Sequence, residues 1–198
     1  MAGTRASDGA GGAAWAVAAA VPDPELPMLT LADLGVLAEV AEDGGAVTAW
    51  LTPTYSGCPA VAEMAADVDR RLRAAGFADV RVRLRLDPPW STDLITPEGR
   101  RKLAEAGIAP PRPGAAAVAA VGSVGGGSTP LSLGPTRLAV AGGASGAGGA
   151  GGTGAGPVTC PLCGGTDTEE LSRFGSTACK ALWRCRDCRE PFERVKEI

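Results

Sequence analysis

Apolar and polar positions along the first hundred residues fall into two periods. Val80, Val82, Leu84 and Leu86 alternate with Arg81, Arg83 and Arg85, the period of a strand with one buried and one wet face. Before it, Val61, Met64, Ala65, Val68 and Leu72 recur at helical spacing within Pro59–Ala75, and Gly76 follows as a stop. Two apolar runs, Gly35–Val40 and Ala46–Leu51, flank Glu42-Asp43-Gly44-Gly45, which predicts a β-hairpin. Strand, helix and strand in succession predict a right-handed crossover, so the sheet should be mixed. A short helix is expected from Ala13 to Val21, with Trp15 and Val17 as core contacts, broken by the Pro22–Pro27 stretch. A last helix should start at Thr96-Pro97 and stop near Gly107, carrying Arg100, Arg101 and Lys102 on a solvated face.

Composition then divides the chain. Fifteen of the 29 glycines lie between Gly114 and Gly156, and from Ala106 to Thr166 the only charges are Arg112 and Arg137. Such a segment has little large apolar surface to offset the entropy of ordering, so it reads as a flexible linker. The expected layout is a disordered stretch over 1–12, an α/β domain over 13–109, a Gly/Ala-rich linker over 110–157 and a Cys-rich domain over 158–198. The fold class is α/β: a small mixed sheet, built from a hairpin and a crossover strand, with flanking helices. A small four-Cys metal ribbon follows the linker. About forty residues are too few for a stable core without metal or disulfides. Gly149-Ala150-Gly151-Gly152-Thr153-Gly154 fits G-x-G-x-x-G, but it sits in low-complexity sequence with no helix pattern after it, and the dinucleotide reading is dropped.

Charge and residue usage narrow the chemistry. The net charge is −3, and the last forty residues hold seven basic and seven acidic side chains, so no basic stripe announces nucleic acid. No apolar run is long enough to span a bilayer, and Ala13–Val21 reads as a helix rather than a signal peptide. The chain has no histidine. That excludes a Ser–His or Cys–His nucleophile pair, a Glu-x-x-His di-iron site and any His-ligated zinc.

What it does have is thiols. Cys160-Pro161-Leu162-Cys163 and Cys185-Arg186-Asp187-Cys188 are two C-x-x-C knuckles with 21 residues between them, the pattern of a tetrahedral four-thiolate site. Zinc is the leading metal; iron in a rubredoxin-like site or an iron–sulfur cluster needs the same ligands. Paired knuckles without an export signal point to metal in a reducing cytoplasm. Cys179 is an extra thiol, read as packed core, an alternative ligand, or a reactive group tuned by Lys180. Cys58 stands apart, where a strand has ended, Ser56-Gly57 turns the chain, and Pro59 opens a helix. Unpaired N–H groups at a helix start push a thiol toward thiolate, whereas a small apolar residue packed under the turn is the plainer alternative. Asp23 and Glu25 lie on a loop. Asp87-Pro88-Pro89-Trp90 follows the crossover strand, at the sheet end where ligands gather. Trp90 there is either a lid over the Cys58 turn or a hydrophobic contact for another subunit, which leaves a homodimer open.

These residues carry a resemblance. Asp23-Pro24-Glu25, Asp33-Leu34-Gly35, Thr52-Pro53-Thr54-Tyr55-Ser56-Gly57-Cys58-Pro59 and Leu86-Asp87-Pro88-Pro89-Trp90 resemble the PaaD (PaaJ) family of phenylacetyl-CoA epoxidase subunits. So does the tail Glu170–Lys196, with Phe174-Gly175-Ser176-Thr177-Ala178-Cys179-Lys180 and Cys188-Arg189-Glu190-Pro191-Phe192. The first part alone is similar to the broader SufT-type iron–sulfur assembly domain. The resemblance implies aerobic phenylacetate catabolism, with a multicomponent di-iron oxygenase as the enzyme and this chain as an accessory subunit that assembles or maintains its metal centres. It implies that Cys58 is the functional thiol and that Asp23 and Glu25 belong to its signature. Cys58 would then transiently hold iron or an iron–sulfur cluster, with Trp90 and the two acids shaping the site and the other epoxidase subunits as partners. Two other classes stay open, a rubredoxin-like electron-transfer protein and a purely structural subunit of the same oxygenase.

Overall fold

The computed structural model describes residues 12–55, 57–114 and 157–197. Most of the expected disordered terminus and linker, including the G-x-G-x-x-G run, lies outside the described residues. The chain enters through helix α1 (Ala13–Ala19), which buries Ala14 and Ala18 completely and leaves Trp15 and Val17 half-buried. Trp15 and Val17 pack against the core from its edge, as expected, while the two alanines let the helix lie close.

Strands β1 (Leu37–Asp43) and β2 (Ala46–Leu51) form the antiparallel hairpin. Its turn is Gly44-Gly45, with φ of 55° and 88°, the left-handed pair that matches strand twist in a two-residue hairpin. Helix α2 (Ala60–Ala74) then crosses over to β3 (Asp79–Leu84), which pairs parallel with β2. The order β1-β2-β3 is the mixed sheet the pattern predicts. Met64, Val68 and Leu72 of α2 are buried in the common core with Val47, Ala49 and Leu51 of β2.

Along β3 the alternation holds only at first. Val80 is buried, but Leu84 and Leu86 are 53% and 62% exposed, on an edge strand with a neighbour on one side only. Two of the three arginines in and just after it are neutralised locally: Arg81 by Asp79, and Arg85 by Glu39 at 2.6 Å, with the Arg85 guanidinium 5.5 Å from the centre of the Trp50 ring.

Helix α3 (Pro97–Glu105) starts on Thr96, whose hydroxyl accepts the Gly99 N–H at 3.0 Å. Its basic residues are less solvated than expected. Arg101 does pair with Glu98 and Glu105 at the surface. Arg100 instead donates to the carbonyls of Thr92 and Pro111, and Lys102 reaches the Asp33 carboxylate at 2.7 Å. These tie α3 to the loops beneath it. Gly99 is needed for that approach, since a Cβ there would lie 2.7 Å from the Asp33 carbonyl oxygen.

A second sheet joins the two parts of the chain. Strand β4 (Ile108–Ala109) pairs parallel with β7 (Pro191–Val195), and β6 (Lys180–Cys185) and β5 (Thr168–Ser172) continue antiparallel in the order β4-β7-β6-β5. The last strand of the N-terminal part is therefore an edge of the ribbon sheet. Val195 is buried in the N-terminal core, and Arg112 pairs with Glu197 at 3.1 Å. Among the described residues no helix is long and apolar enough to cross a membrane.

Candidate metal centre

The ribbon's own apolar core is Ala109, Val158, Cys160, Cys185 and Phe192. Two of those are cysteines, so the place where a larger domain would have a hydrophobic centre is taken by sulfur. Cys160, Cys163, Cys185 and Cys188 bring all four Sγ atoms within 4.8 Å of one another. Cys160 and Cys188 sulfurs are 3.8 Å apart, and Cys163 and Cys185 3.6 Å. A tetrahedron of thiolates at a Zn–S distance of about 2.3 Å has edges of about 3.8 Å. All are free thiols, far beyond bonded S–S distance. The donor set fits a tetrahedral thiophilic ion, zinc or iron alike.

The two knuckles are built the same way. The Cys160 N–H donates to the Gly165 carbonyl at 2.8 Å, and the Cys185 N–H to the Glu190 carbonyl at 3.0 Å. The residue after each second cysteine is left-handed: Gly164 at φ 78° and Arg189 at φ 68°. Glycine takes that conformation freely and arginine does not, so the second knuckle holds a strained residue. Backbone N–H groups point at the sulfurs, with Gly165 donating to Cys163 Sγ at 3.4 Å. The N–H groups of Cys188 and Asp187 hold the Cys185 thiol below its ordinary value. At Cys163 the Gly165 N–H also favours the thiolate, but the crowding thiols of Cys185, Cys188 and Cys160 outweigh it and push the group up to about 12. Four thiols this close cannot all ionise against one another; a cation in their midst removes that conflict.

Cys58 lies outside this cluster. It is half-buried one residue before Pro59, the N-cap of α2, and its N–H donates to the Tyr55 carbonyl at 3.2 Å. Its side chain packs against the N-terminal core. The strand end, turn and helix start expected from the sequence are all present.

The neighbouring loop is set by Asp23. Its buried carboxylate accepts the N–H groups of Glu25 (2.9 Å) and Leu26 (2.7 Å). Burial pushes this carboxyl up, against the pull of the Leu26 and Glu25 N–H groups and of Lys180. Asp23 thus orders the loop, and that leaves Glu25 as the half-exposed acid on it. Trp90 is not a surface contact for another subunit. It is 5% exposed, in the core, with its Nε1–H donating to the Leu34 carbonyl at 2.9 Å. Its indole fastens the post-β3 loop to the Leu34-Gly35 turn.

Cys179 lies outside the metal knuckles. It precedes β6 in the ribbon, and its carbonyl accepts the Lys196 N–H at 2.9 Å, next to Val195 in the N-terminal core. Its sulfur is 3.1 Å from the Thr177 hydroxyl. Burial pushes the thiol up, as does the negative charge of Glu25, while Lys180 opposes them. The Tyr55 phenol is likewise held above its ordinary value, by desolvation and then by Cys58, Glu25 and Cys179. Lys180 is buried, anchored to Glu193 at 2.8 Å. No local signal brings Cys179 to this place; it follows from the pairing of β4 with β7.

A mixed-sheet α/β domain with a lone turn cysteine, sharing a sheet with a tetrathiolate ribbon, defines a two-part protein with one metal-binding site among its described residues. Comparison with known proteins agrees part by part. Residues 13–84 match the family described as iron–sulfur cluster assembly protein, and residues 145–196 match the PaaD zinc beta ribbon domain. A protein of Escherichia coli (strain K12), named for one of the subunits of 1,2-phenylacetyl-CoA epoxidase, is 39% identical over 184 residues, covering 93% of this chain and 91% of its own length. The chain belongs to the PaaD family of phenylacetyl-CoA epoxidase subunits. Among solved structures, the domain of unknown function DUF59 from Bacillus anthracis covers 46% of this chain and 87% of its own, at 27% identity and a TM-score of 0.43.

Proposed function

We propose that this chain is an accessory subunit of a phenylacetyl-CoA epoxidase system, and that it assembles or maintains the iron or iron–sulfur centres of that system through Cys58. The observation that carries the reading is the division of the thiols. Four close a resident site in the ribbon, while Cys58 stays half-exposed on a turn within the residues matched to iron–sulfur assembly proteins. A single thiolate on an open turn binds cargo iron without enclosing it, which suits delivery rather than storage. The histidine-free composition leaves the epoxidation itself to other subunits, since a di-iron carboxylate site of the familiar kind takes histidine ligands.

Zinc is the proposed resident metal of the ribbon. Cys160, Cys163, Cys185 and Cys188 would hold it, and its chemistry there is structural, a cross-link in place of a core. Six free thiols suit a reducing cytoplasm. The partners are the other epoxidase subunits. The test is to co-produce the epoxidase with wild-type chain or with Cys58→Ser and to measure its iron. The expected result is a folded, zinc-containing variant and an iron-deficient epoxidase; normal iron loading removes the proposal.

One observation favours a second reading. N–H groups aimed at the sulfurs of a tetrathiolate also tune iron for electron transfer. A coloured, reducible purified protein would support it. Colourless protein with one zinc per chain would dispose of it.

A further inference from the structure

We propose that the open edge of β3 takes a further strand, an extended segment of a partner protein whose residues alternate between apolar and acidic. This interface is separate from both thiol sites and does not depend on the role given to Cys58.

The ladder defines the edge. The Arg85 N–H donates to the Leu51 carbonyl at 2.8 Å, toward β2. Backbone groups alternate in direction along a strand, so those of Arg81 and Arg83 also face β2, while those of Val80, Val82 and Leu84 face outward. The first of these outward groups is already covered, since the Arg73 guanidinium of α2 donates to the Val80 carbonyl at 3.2 Å. Among the described residues no strand pairs with Val82 and Leu84 on that side. The apolar face opens over the same stretch. Val80 is buried, Val82 half-buried, and Leu84 and Leu86 exposed. A strand laid on this edge bonds Val82 and Leu84 and sets its own apolar side chains beside the two leucines.

Charge selects the occupant. Arg81, Arg83 and Arg85 share the opposite face of the strand. Arg81 has Asp79 and Arg85 has Glu39, but Arg83 has no acidic partner among the described residues. A second copy of this chain does not suit it. Pairing two copies antiparallel with Val82 opposite Val82, Val82 opposite Leu84, or Leu84 opposite Leu84 sets Arg83 against Arg81, Arg83 or Arg85 of the other copy, respectively. Like charges directly opposite destabilise a strand pair, and opposite charges stabilise it. An Asp or Glu beside Arg83, between residues that meet Val82 and Leu84, gives the apolar–acidic alternation. Position adds to the case. Strands β2 and β3 run parallel with Leu51 opposite Leu84, and from Leu51 the chain leads into the Thr52–Pro59 turn. The uncovered leucines therefore lie at the end of the sheet from which the Cys58 turn springs.

The experiment uses the full chain with zinc in the ribbon as bait for a displayed library of random short peptides. Enriched sequences should alternate apolar with acidic residues. Amide hydrogen exchange, read by NMR, then locates them. In the free chain the N–H groups of Arg81, Arg83 and Arg85 should exchange slowly and those of Val82 and Leu84 fast; a selected peptide should slow Val82 and Leu84. Arg83→Glu should weaken that peptide by at least about tenfold. Leu84→Pro removes an outward N–H that makes no bond to β2, a change an edge strand tolerates, and should abolish binding. Slow exchange at Arg81 and Arg83 in that variant shows that the sheet is intact. A library that enriches no such pattern, a peptide that leaves Val82 and Leu84 exchange unchanged, or full binding by Arg83→Glu overturns the proposal. So does protection of those two amides in the free chain that grows with protein concentration, which assigns the edge to a second copy. None of these outcomes touches the iron content of the epoxidase, so the reading of Cys58 stands or falls separately.

Discussion

The tetrathiolate and the Cys58 turn hold thiols of the same kind to different ends. In the ribbon, each sulfur is supplied by a knuckle whose backbone is bonded to itself, and the four sulfurs converge to within 4.8 Å of one another. Cys58 lies outside that cluster, half-buried on its turn at the start of α2. A site closed by local backbone retains a metal. A single half-exposed thiol can let go of one. The difference lies in how each cysteine is positioned, since the residue type is identical.

The sharpest way to break the comparison is to strip the ribbon of metal. Structural zinc supplies on the order of 10 kcal/mol to domains of this kind. Chelation should therefore unfold β5–β7, release β4 and expose Val195, while β1–β3 and the helices persist. Hydrogen exchange measured before and after chelation, and after zinc is restored, checks this. Protection of β6 that survives chelation would show a ribbon held by packing alone.

Side chains that order the Cys58 surroundings come next. Trp90→Phe strands the buried Leu34 carbonyl and should cost about 1–3 kcal/mol, read by denaturant unfolding with zinc present. Asp23→Ala should cost a similar amount, because two N–H groups lose their acceptor. Asp23→Asn keeps an acceptor and removes a desolvated charge, so its stability should stay near wild type. If Asn behaves like Ala, the charge itself is needed there, and the loop-ordering role is wrong.

A smaller effect is pH-dependent. Burial works against ionisation of Asp33, but Lys102 at 2.7 Å and the Thr30 N–H and hydroxyl outweigh it and hold the carboxyl below its ordinary value. A depressed carboxyl contributes stability that is full above its unfolded value, about 3.9, and is lost as pH falls through the folded one. Asp33→Asn should therefore destabilise the chain at pH 7, and the difference from wild type should shrink as pH drops below about 4. A difference independent of pH would mean that the ion pair to α3 contributes nothing. Smallest of all, Cys58→Ser should leave the midpoint of unfolding almost unchanged, since the thiol is half-buried and bonded to nothing by its sulfur among the interactions described.

How far the sequence reveals this arrangement depends on whether the signal is local. The hairpin, α2, α3 and both knuckles are legible because each rests on a short-range pattern: Gly44-Gly45 between apolar runs, the Met64–Val68–Leu72 stripe, Thr96-Pro97, and C-x-x-C. The position of Cys58 is legible for the same reason. Trp90 misleads because a Pro-rich loop beside a sheet looks exposed, and nothing nearby signals that the Leu34 carbonyl needs a donor. The exposed Leu84 and Leu86 mislead because alternation shows which side chains share a face and not whether anything covers it. The two residues of β4 are invisible as a strand, and their partner lies more than eighty positions away. With β4 unseen, the join between the two parts could not be placed.

The central claim is that Cys58 handles metal destined for the epoxidase. Its most direct test is the iron content of epoxidase produced with the Cys58→Ser chain, beside the zinc content of that chain. The account predicts one zinc per chain, an unchanged fold and an epoxidase short of iron. An epoxidase with its full iron in the presence of the folded variant would contradict it.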